Sequence, residues 1–376
     1  MSDTATAQIW IDHRRNLWPI SLVVPSLAVI AYILVELSGS AWFWWTGAVV
    51  IYGLVPLLDA RIGEDRNNPP ESAVEMLGND PWYRRVLLAT FPLQLIGTVV
   101  GVWAATTTAL NPLQWLGLAV TVGIVSGGGI NTAHEWGHKR GSFANLMSKL
   151  SLAPAFYGHF HVEHNRGHHK NVATPTDPAS ARLGESYWAF LPRTMIGSLR
   201  SAWRIERERL ASQSKSVWSI HNDNLQAWLL SLILYGVLIA VFGWMALPLL
   251  LAQAIYGAAL LEAVNYIEHY GLLRGKDSTG RFERCAPEHS WNSNRIVSNL
   301  MLYQLQRHSD HHANPRRAYQ TLRHFDDSPQ LPAGYAALIP LVYFPWLWFA
   351  LMDKRVFDHY RGDLARANRQ PGRAAR

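Results

Sequence analysis

The sequence contains few charged residues and almost no cysteine. Of its 376 residues only 16% are Asp, Glu, Lys or Arg, against roughly 25% in soluble globular proteins. The single cysteine, Cys285, can form neither an intrachain disulfide nor a cysteine-rich metal site. No flavin or nicotinamide fingerprint and no paired-cysteine motif is present either. A disordered, collagenous or disulfide-stapled protein is therefore excluded.

Most of the apolar residues lie in six long runs. Each run has about 18 to 25 residues, the length that a helix needs to cross about 30 Å of hydrocarbon. The predicted spans are 17–37, 41–58, 86–110, 113–133, 225–244 and 246–267. The sequence therefore predicts an all-α integral membrane protein with six transmembrane helices in three hairpins.

The positively charged residues lie outside these runs. All 34 Lys and Arg fall before the first run, in the two long connections or after the last run, and the three short connections carry none. By the positive-inside rule, both termini and both long connections face the cytoplasm. The net charge of +7 is therefore attributed to topology, and no binding of nucleic acid is expected.

This pattern divides the chain into three parts. Residues 1–16 are the predicted cytoplasmic N-terminus. Residues 17–267 are the membrane region, which includes a cytoplasmic loop at 134–224 with two histidine motifs. Residues 268–376 are the predicted cytoplasmic C-terminal region, with a third histidine motif. Its apolar segment 331–352 contains three prolines, so we predict a re-entrant or interfacial segment in place of a seventh span.

Histidine is concentrated in three short motifs. The segments 134–138 (HEWGH), 164–169 (HNRGHH) and 308–312 (HSDHH) place imidazoles three or four residues apart, on one face of a helix. His269 directly follows the sixth span and emerges at the same membrane face. Nine imidazoles are too many for one ion, so two metal ions are predicted, and imidazole suits Zn, Cu, Fe or Ni. The predicted ligands are His134, His138, His164, His168, His169, His269, His308, His311 and His312.

Several carboxylates accompany these motifs. A metal-ligating histidine usually donates its second ring N–H to a carboxylate or a carbonyl, so nearby carboxylates are candidates to orient the ligands. The alternative is a solvated surface group. Glu262 lies inside the sixth span, where a charge is expensive and usually functional. The candidates are Glu135, Glu163, Glu262, Glu268 and Asp310.

The motifs resemble those of a known family. The three histidine boxes are similar to those of the membrane di-iron desaturases and hydroxylases. The segments 265–272 (NYIEHYGL) and 305–312 (LQRHSDHH) more specifically resemble the alkane 1-monooxygenase family and its relative xylene monooxygenase. This resemblance implies a di-iron site at the cytoplasmic side of the bacterial inner membrane. It implies O2-dependent hydroxylation of the end of medium-chain n-alkanes, with electrons from rubredoxin and an NAD(P)H-dependent rubredoxin reductase.

An alkane has no polar group, so we expect it to bind between the spans and to reach the metals end first. A stripe at i, i+4 and i+7 on the second span would line this channel, with a lipid-facing stripe as the alternative. Small residues near the histidines would leave room for substrate, with close helix packing as the alternative. The candidate channel residues are Ile51, Val55, Leu58, Gly128, Gly129 and Ala258.

Rubredoxins are typically acidic, so basic residues near the third motif are candidates for a docking surface. Contact with lipid headgroups is the alternative. These residues are Arg307, Arg316, Arg317 and Arg323.

The residues alone leave other functions open. A xylene or other aryl-methyl monooxygenase and a membrane fatty-acid desaturase belong to the same superfamily. HEWGH also matches the His-Glu-x-x-His helix of zinc proteases, which leaves seven histidines unexplained. A metal transporter would place ionisable groups deep in its spans, where only Glu36 and Glu262 lie.

Overall fold

A computed structural model describes residues 10–371 of the chain. Residues 1–9 and 372–376, which belong to the predicted cytoplasmic N-terminal and C-terminal regions, lie outside the described residues. Within 10–371 the secondary structure is helical, and β-structure is limited to four isolated bridges. The predicted all-α class is confirmed.

Among the described residues, six helices are long and apolar enough to cross a membrane, so the chain is a multi-pass membrane protein and the predicted six spans are confirmed. The spans are α1, α2, α4, α5, α9 and α10. In chain order the helices are α1 (Arg15–Ser38), α2 (Ala41–Ile62), α3 (Glu71–Asn79), α4 (Pro81–Thr107), α5 (Pro112–Gly137), α6 (Ser142–Leu152), α7 (160–171), α8 (Tyr187–Ala211), α9 (Asp223–Phe242), α10 (Ala246–His269), α11 (Ile296–Met301), α12 (His308–Ala313), α13 (Tyr335–Val342) and α14 (Pro345–His359).

Polar caps define where several spans begin. The Asn111 side chain accepts hydrogen bonds from two backbone N–H groups in the first turn of α5, and Pro112 occupies the first turn, where its missing N–H costs nothing. Asp80 and Asn222 cap α4 and α9 in the same manner. Each of these apolar segments therefore starts at a defined residue.

Helices α5 and α10 pack together because glycine lets their backbones approach. A Cβ atom at Gly257 would lie 3.0 Å from the carbonyl oxygen of Gly123 and 3.1 Å from the backbone nitrogen of Gly127. Helix α5 is also the most buried of the six spans. Because the two helices run in the same direction, their C-terminal ends carry His134 and His269 to the same side of the bundle.

The segment 331–352 forms parts of two helices, α13 with 8 residues and α14 with 15 residues. A helix needs about 20 residues to span a bilayer, so neither crosses alone. Pro345 stands in the first turn of α14, where proline is tolerated, and this separates the two helices. The re-entrant or interfacial location stays a prediction.

A buried arginine anchors the third histidine motif. Arg307 is 1% exposed and donates hydrogen bonds to the backbone carbonyls of Asp65, Asn67 and Leu322. Since a buried guanidinium needs such partners, these bonds hold the start of α12 against the loop that follows α2 and against the segment that follows α12. Arg307 is not available at the surface, and the expectation that it docks a partner is wrong.

Candidate metal centre

All nine histidines predicted as ligands lie together in two adjacent groups. The five-histidine group consists of His134, His138, His164, His169 and His311. The four-histidine group consists of His168, His269, His308 and His312. Within each group the candidate ligand nitrogens all lie within 4.8 Å of one another. The ring centroids of His169 and His312, one from each group, are 4.4 Å apart.

The histidines of the second motif pair differently from what their spacing in the sequence predicts. His164 and His168, four residues apart, were expected on one face but belong to different groups. The segment Glu163–His168 forms a π-helical turn, in which residues five apart lie closest to one face. His164 therefore pairs with His169, and their Nε2 atoms are 3.1 Å apart.

The third motif also divides between the groups. His308 and His312 lie four residues apart on α12, and their Nε2 atoms are 2.9 Å apart. His311 points about 100° away from His312, because that is the turn between successive residues of an α-helix. Its Nε2 atom lies 2.8 Å from Nε2 of His134. Helix α12 thus contributes to both groups and links them.

The ring nitrogens fit a metal ion. Five contacts between Nε2 atoms of different histidines measure 2.8 to 3.2 Å. A neutral imidazole has one donor and one acceptor nitrogen, so several lone pairs that meet at one point cannot all satisfy one another. Nε2 of His138 and Nε2 of His168 are buried without a hydrogen-bond partner among the described residues. A cation shared by each group would satisfy these nitrogens.

Burial also keeps six of the nine imidazoles in the form that binds metal. Only an uncharged imidazole has a lone pair for a cation. Burial, followed by the neighbouring imidazoles, holds six pKa values well below the ordinary range, those of His138, His164, His169, His308, His311 and His312. These six histidines are therefore uncharged at neutral pH.

One carboxylate beside a ligand was not predicted. Oδ2 of Asp177 lies 2.9 Å from Nδ1 of His168, and both side chains are buried. Burial lowers the pKa of His168, but the Asp177 carboxylate outweighs burial and raises this pKa to about 9. The contact leaves Nε2 of His168 directed at the four-histidine group. In the sequence, only the Pro-Thr-Asp-Pro stretch soon after the second motif could have indicated this residue.

Two of the predicted carboxylates have other partners. Glu262 accepts hydrogen bonds from Tyr157 and Thr194, at 2.7 and 2.8 Å. Glu135 forms an ion pair with Lys139 at 3.7 Å. In the part of the chain that the structure describes, neither carboxylate is hydrogen-bonded to one of the nine histidines.

Asp310 and Glu163 are buried near the histidines. Asp310 accepts hydrogen bonds from the backbone and guanidinium of Arg323 and from the Asn314 amide. It therefore holds the loop that follows α12. Burial, followed by the charge of Asp177, raises the pKa of Glu163 to about 8.

Glu268 differs from the other predicted carboxylates because it contacts a histidine of the centre. Its Oε2 atom lies 3.1 Å from Nε2 of His308. Its Oε1 atom accepts a hydrogen bond of 2.9 Å from the Tyr335 hydroxyl. Glu268 is therefore placed directly beside the four-histidine group.

A small, mainly apolar cavity of about 70 Å³ lies between the spans near the centre. Three of the six predicted channel residues line it, namely Ile51, Val55 and Gly128. The other three, Leu58, Gly129 and Ala258, are not in its lining. A Cβ atom at Gly129 would lie 1.9 Å from Nε2 of Gln94, so close packing of α5 on α4 explains this glycine.

Three polar side chains line the cavity, those of Asn131, Ser298 and Tyr335. Asn131 lines the cavity one turn before His134 on α5. Tyr335 also lines it and donates its hydroxyl hydrogen to Glu268. The cavity lining therefore includes residues that adjoin both histidine groups.

A surface groove reaches the five-histidine group from another direction. His138 lines it together with six basic residues, Arg84, Lys139, Arg140, Arg284, Arg316 and Arg317. Three acidic residues also line it, Glu71, Glu75 and Asp80. The excess of positive charge is complementary to an acidic partner.

The family model and the similar proteins found by comparison point to the same group of membrane enzymes. The fatty acid desaturase family model matches residues 111–342. The chain is 46% identical to alkane 1-monooxygenase 1 of Alcanivorax borkumensis over 96% of this chain and 90% of the relative. It is 44% identical to the alkane 1-monooxygenase of Acinetobacter baylyi over 97% and 90%. The hydroxylase component of the xylene/toluene monooxygenase of Pseudomonas putida is more distant, at 29% identity over 65% of each chain.

Six candidate spans together with two clusters of histidines define a membrane-bound metal-dependent oxidoreductase of the fatty acid desaturase type. Within this class the chain belongs to the alkane 1-monooxygenase family. Membership implies a metal, typically iron, at the histidine clusters. The zinc-protease and metal-transporter alternatives raised by the sequence are therefore not retained.

The contact between Asp177 and His168 leads to a prediction about metal binding. In Asp177→Asn the affinity for Fe²⁺ should fall about 10-fold or more, because the carboxylate that holds a ligand ring is neutralised. Competition with a chelator of known affinity measures this change. Asp358→Asn, at a carboxylate with 55% side-chain exposure on α14, is the control and should bind like wild type. Equal affinities for all three proteins would contradict the role of Asp177.

Proposed function

We propose that this protein hydroxylates the terminal methyl group of medium-chain n-alkanes to give 1-alcohols. The reaction uses O2, two irons held by the nine histidines and electrons from rubredoxin. The observation that carries this proposal is a mainly apolar cavity whose lining adjoins two all-histidine groups. The names of the relatives, alkane 1-monooxygenases, support the same reaction.

Each histidine group holds one iron. Bound iron supplies the reduction of O2 and the oxidation of a C–H bond, for which no amino-acid side chain is suited. The chain's own contribution is to direct Nε2 atoms from four helices at two neighbouring points. Asp177 holds the ring of His168 from its Nδ1 side. Burial of these groups keeps bulk water away from the reacting substrate.

The cavity orients the substrate by shape. An alkane cannot form hydrogen bonds, so it is bound through burial alone. The lining includes Ile51, Ile124 and Leu260, whereas Asn131 and Tyr335 adjoin the histidine groups. Ile124 precedes His134 by about 15 Å along α5, which is of the order of the length of a medium-chain alkane. An alkane in this cavity presents its methyl group to the histidines.

We place the centre at the cytoplasmic side of the bacterial inner membrane. The distribution of Lys and Arg supports this orientation. An alkane dissolved in the bilayer can then enter between the spans, and the centre remains open to cytoplasmic electron donors.

The electrons come from rubredoxin, which an NAD(P)H-dependent rubredoxin reductase reduces. The chain has no recognisable redox cofactor motif of its own. The basic groove supports docking of an acidic donor, and His138 in its lining belongs to the five-histidine group. Of the predicted docking residues, Arg316 and Arg317 line this groove.

Product analysis tests the proposed reaction. Membranes that contain the protein are incubated with octane, dodecane and xylene, together with rubredoxin and its reductase, and products are identified by mass spectrometry. We expect O2-dependent 1-alcohols and about two irons per chain. His134→Ala should lose iron and activity, whereas His221→Ala, at an exposed position, should retain both. Aryl-methyl alcohols as the main product, alkenes, or a single zinc per chain would contradict the proposal.

Chain-length preference tests the cavity. Ile51→Trp should shorten the preferred alkane and Ile51→Ala should lengthen it, because Ile51 lines the cavity. A misfit of one or two methylene groups should change the relative activity about 10-fold. The activity is measured on alkanes of six to sixteen carbons. Leu57→Trp on the exposed face of α2, at a residue 70% exposed, is the control. An unchanged profile in both Ile51 variants would remove this residue from the substrate site.

Charge reversal tests the docking groove. The double variant Arg140→Glu and Arg316→Glu changes two exposed groove residues. It should raise the KM for rubredoxin about 10-fold at low salt and leave the iron content unchanged, because opposite charges steer association. The difference from wild type should shrink near about 0.5 M salt, where charges are screened. Arg207→Glu, an exposed site on α8 outside the groove lining, should behave like wild type. Equal KM values would exclude this docking surface.

A further inference from the structure

Two buried carboxylates contact the four-histidine group, and they contact different ring nitrogens. Asp177 lies 2.9 Å from Nδ1 of His168, whose Nε2 is left for the centre. Glu268 lies 3.1 Å from Nε2 of His308. A carboxylate that orients a metal ligand binds the ring nitrogen remote from the metal. Asp177 has this position, and Glu268 does not.

The contacts of His308 establish which of its nitrogens faces the centre. Its Nε2 atom lies 2.9 Å from Nε2 of His312 and 3.2 Å from Nε2 of His269. These three nitrogens surround the point at which a cation would satisfy their lone pairs. The Glu268 oxygen that contacts His308 Nε2 therefore lies on the same side of the ring as that point.

The other oxygen of Glu268 is fixed by a separate contact. Oε1 accepts the hydrogen bond from the Tyr335 hydroxyl at 2.9 Å. Tyr335 is completely buried, and its backbone N–H donates to Oε1 of Gln306 at 2.8 Å. This arrangement leaves Oε2 of Glu268 directed at the histidines. The carboxylate thus has one structural oxygen and one oxygen at the centre.

Burial makes the charged form of this carboxylate costly without a positive partner. Glu268 is 1% exposed, and an isolated buried carboxylate is costly unless it is paired or coordinates a metal. Within the described residues, no Lys or Arg forms an ion pair with it, and its contact with His308 is the one ion-pair distance found. A metal ion between the histidines would supply the missing positive charge.

We propose that Glu268 is an oxygen ligand of the metal in the four-histidine group and that Tyr335 is its positioning residue. The inference rests on the proposed metal centre. It explains why one group has five histidines and the other four, since the carboxylate brings the donors in the second group to five. Oxygen and imidazole donors together suit iron. It also makes the two metal sites chemically different, because only one has an anionic ligand.

Mössbauer spectroscopy of protein loaded with ⁵⁷Fe tests this proposal without an activity measurement. Wild type should give two quadrupole doublets of equal area. Glu268→Ala and Glu268→Gln should both alter one doublet and leave the other unchanged. In competition with a chelator, both variants should bind one of the two irons with an affinity lowered about 10-fold or more. Tyr335→Phe, which removes the positioning hydrogen bond, should alter the same doublet by a smaller amount.

Glu262→Gln is the matched control, since Glu262 lies on the same helix and is equally buried. Both of its doublets should match wild type. Glu268→Gln preserves the volume of the side chain and an acceptor for Tyr335, so the fold should be retained. Iron-loaded Glu268 variants with two wild-type doublets would overturn the ligand role. So would a change in Glu268→Ala that Glu268→Gln does not share, since that indicates packing alone. Wild type without two irons would instead overturn the proposed centre.

Discussion

The structure depends on the convergence of nine imidazole rings in a space that excludes most water. Uncharged imidazoles whose lone pairs face one another do not stabilise such an arrangement, so the fold around them has to impose it. Helices α5 and α10 meet at glycine and bring two of the rings to one end of the bundle. Arg307 anchors the start of α12 through three backbone carbonyls. Rigid spans and a clamped loop thus hold together groups that would otherwise separate.

Much of this arrangement could be predicted from the sequence, because its signals are periodic or compositional. The lengths of the apolar runs predict the six spans, and the spacing of the three motifs predicts that their histidines meet. The division into two groups could not be predicted. It depends on a π-helical turn at Glu163–His168, which moves the partner of His164 from His168 to His169. No local propensity distinguishes that turn from an α-helix with the same residues.

The supporting carboxylates show a second limit of sequence reasoning. Adjacency to a histidine motif pointed to five residues, yet Asp310 holds a loop and Glu262 bonds to Tyr157 and Thr194. Asp177, which does contact a ring nitrogen, lies nine residues after His168. It meets this histidine because the loop folds back onto the second motif. Neighbours in sequence point to different sides of a helix, so contact depends on tertiary folding. Burial increases the free-energy cost of losing any of these contacts, because an unpaired charge in such surroundings is costly.

The centre is approached by two routes with different chemistry. The basic groove includes His138, whereas the mainly apolar cavity is lined in part by Asn131 and Tyr335, and the described linings of the two share no residue. An acidic protein that docks in the groove therefore does not have to displace an apolar molecule from the cavity. The converse also holds, since a molecule that enters from the bilayer meets no charged side chain in the described cavity lining. With the two linings separate, the proposed acidic partner and an apolar substrate do not compete for the same residues, although no single surface could bind both well.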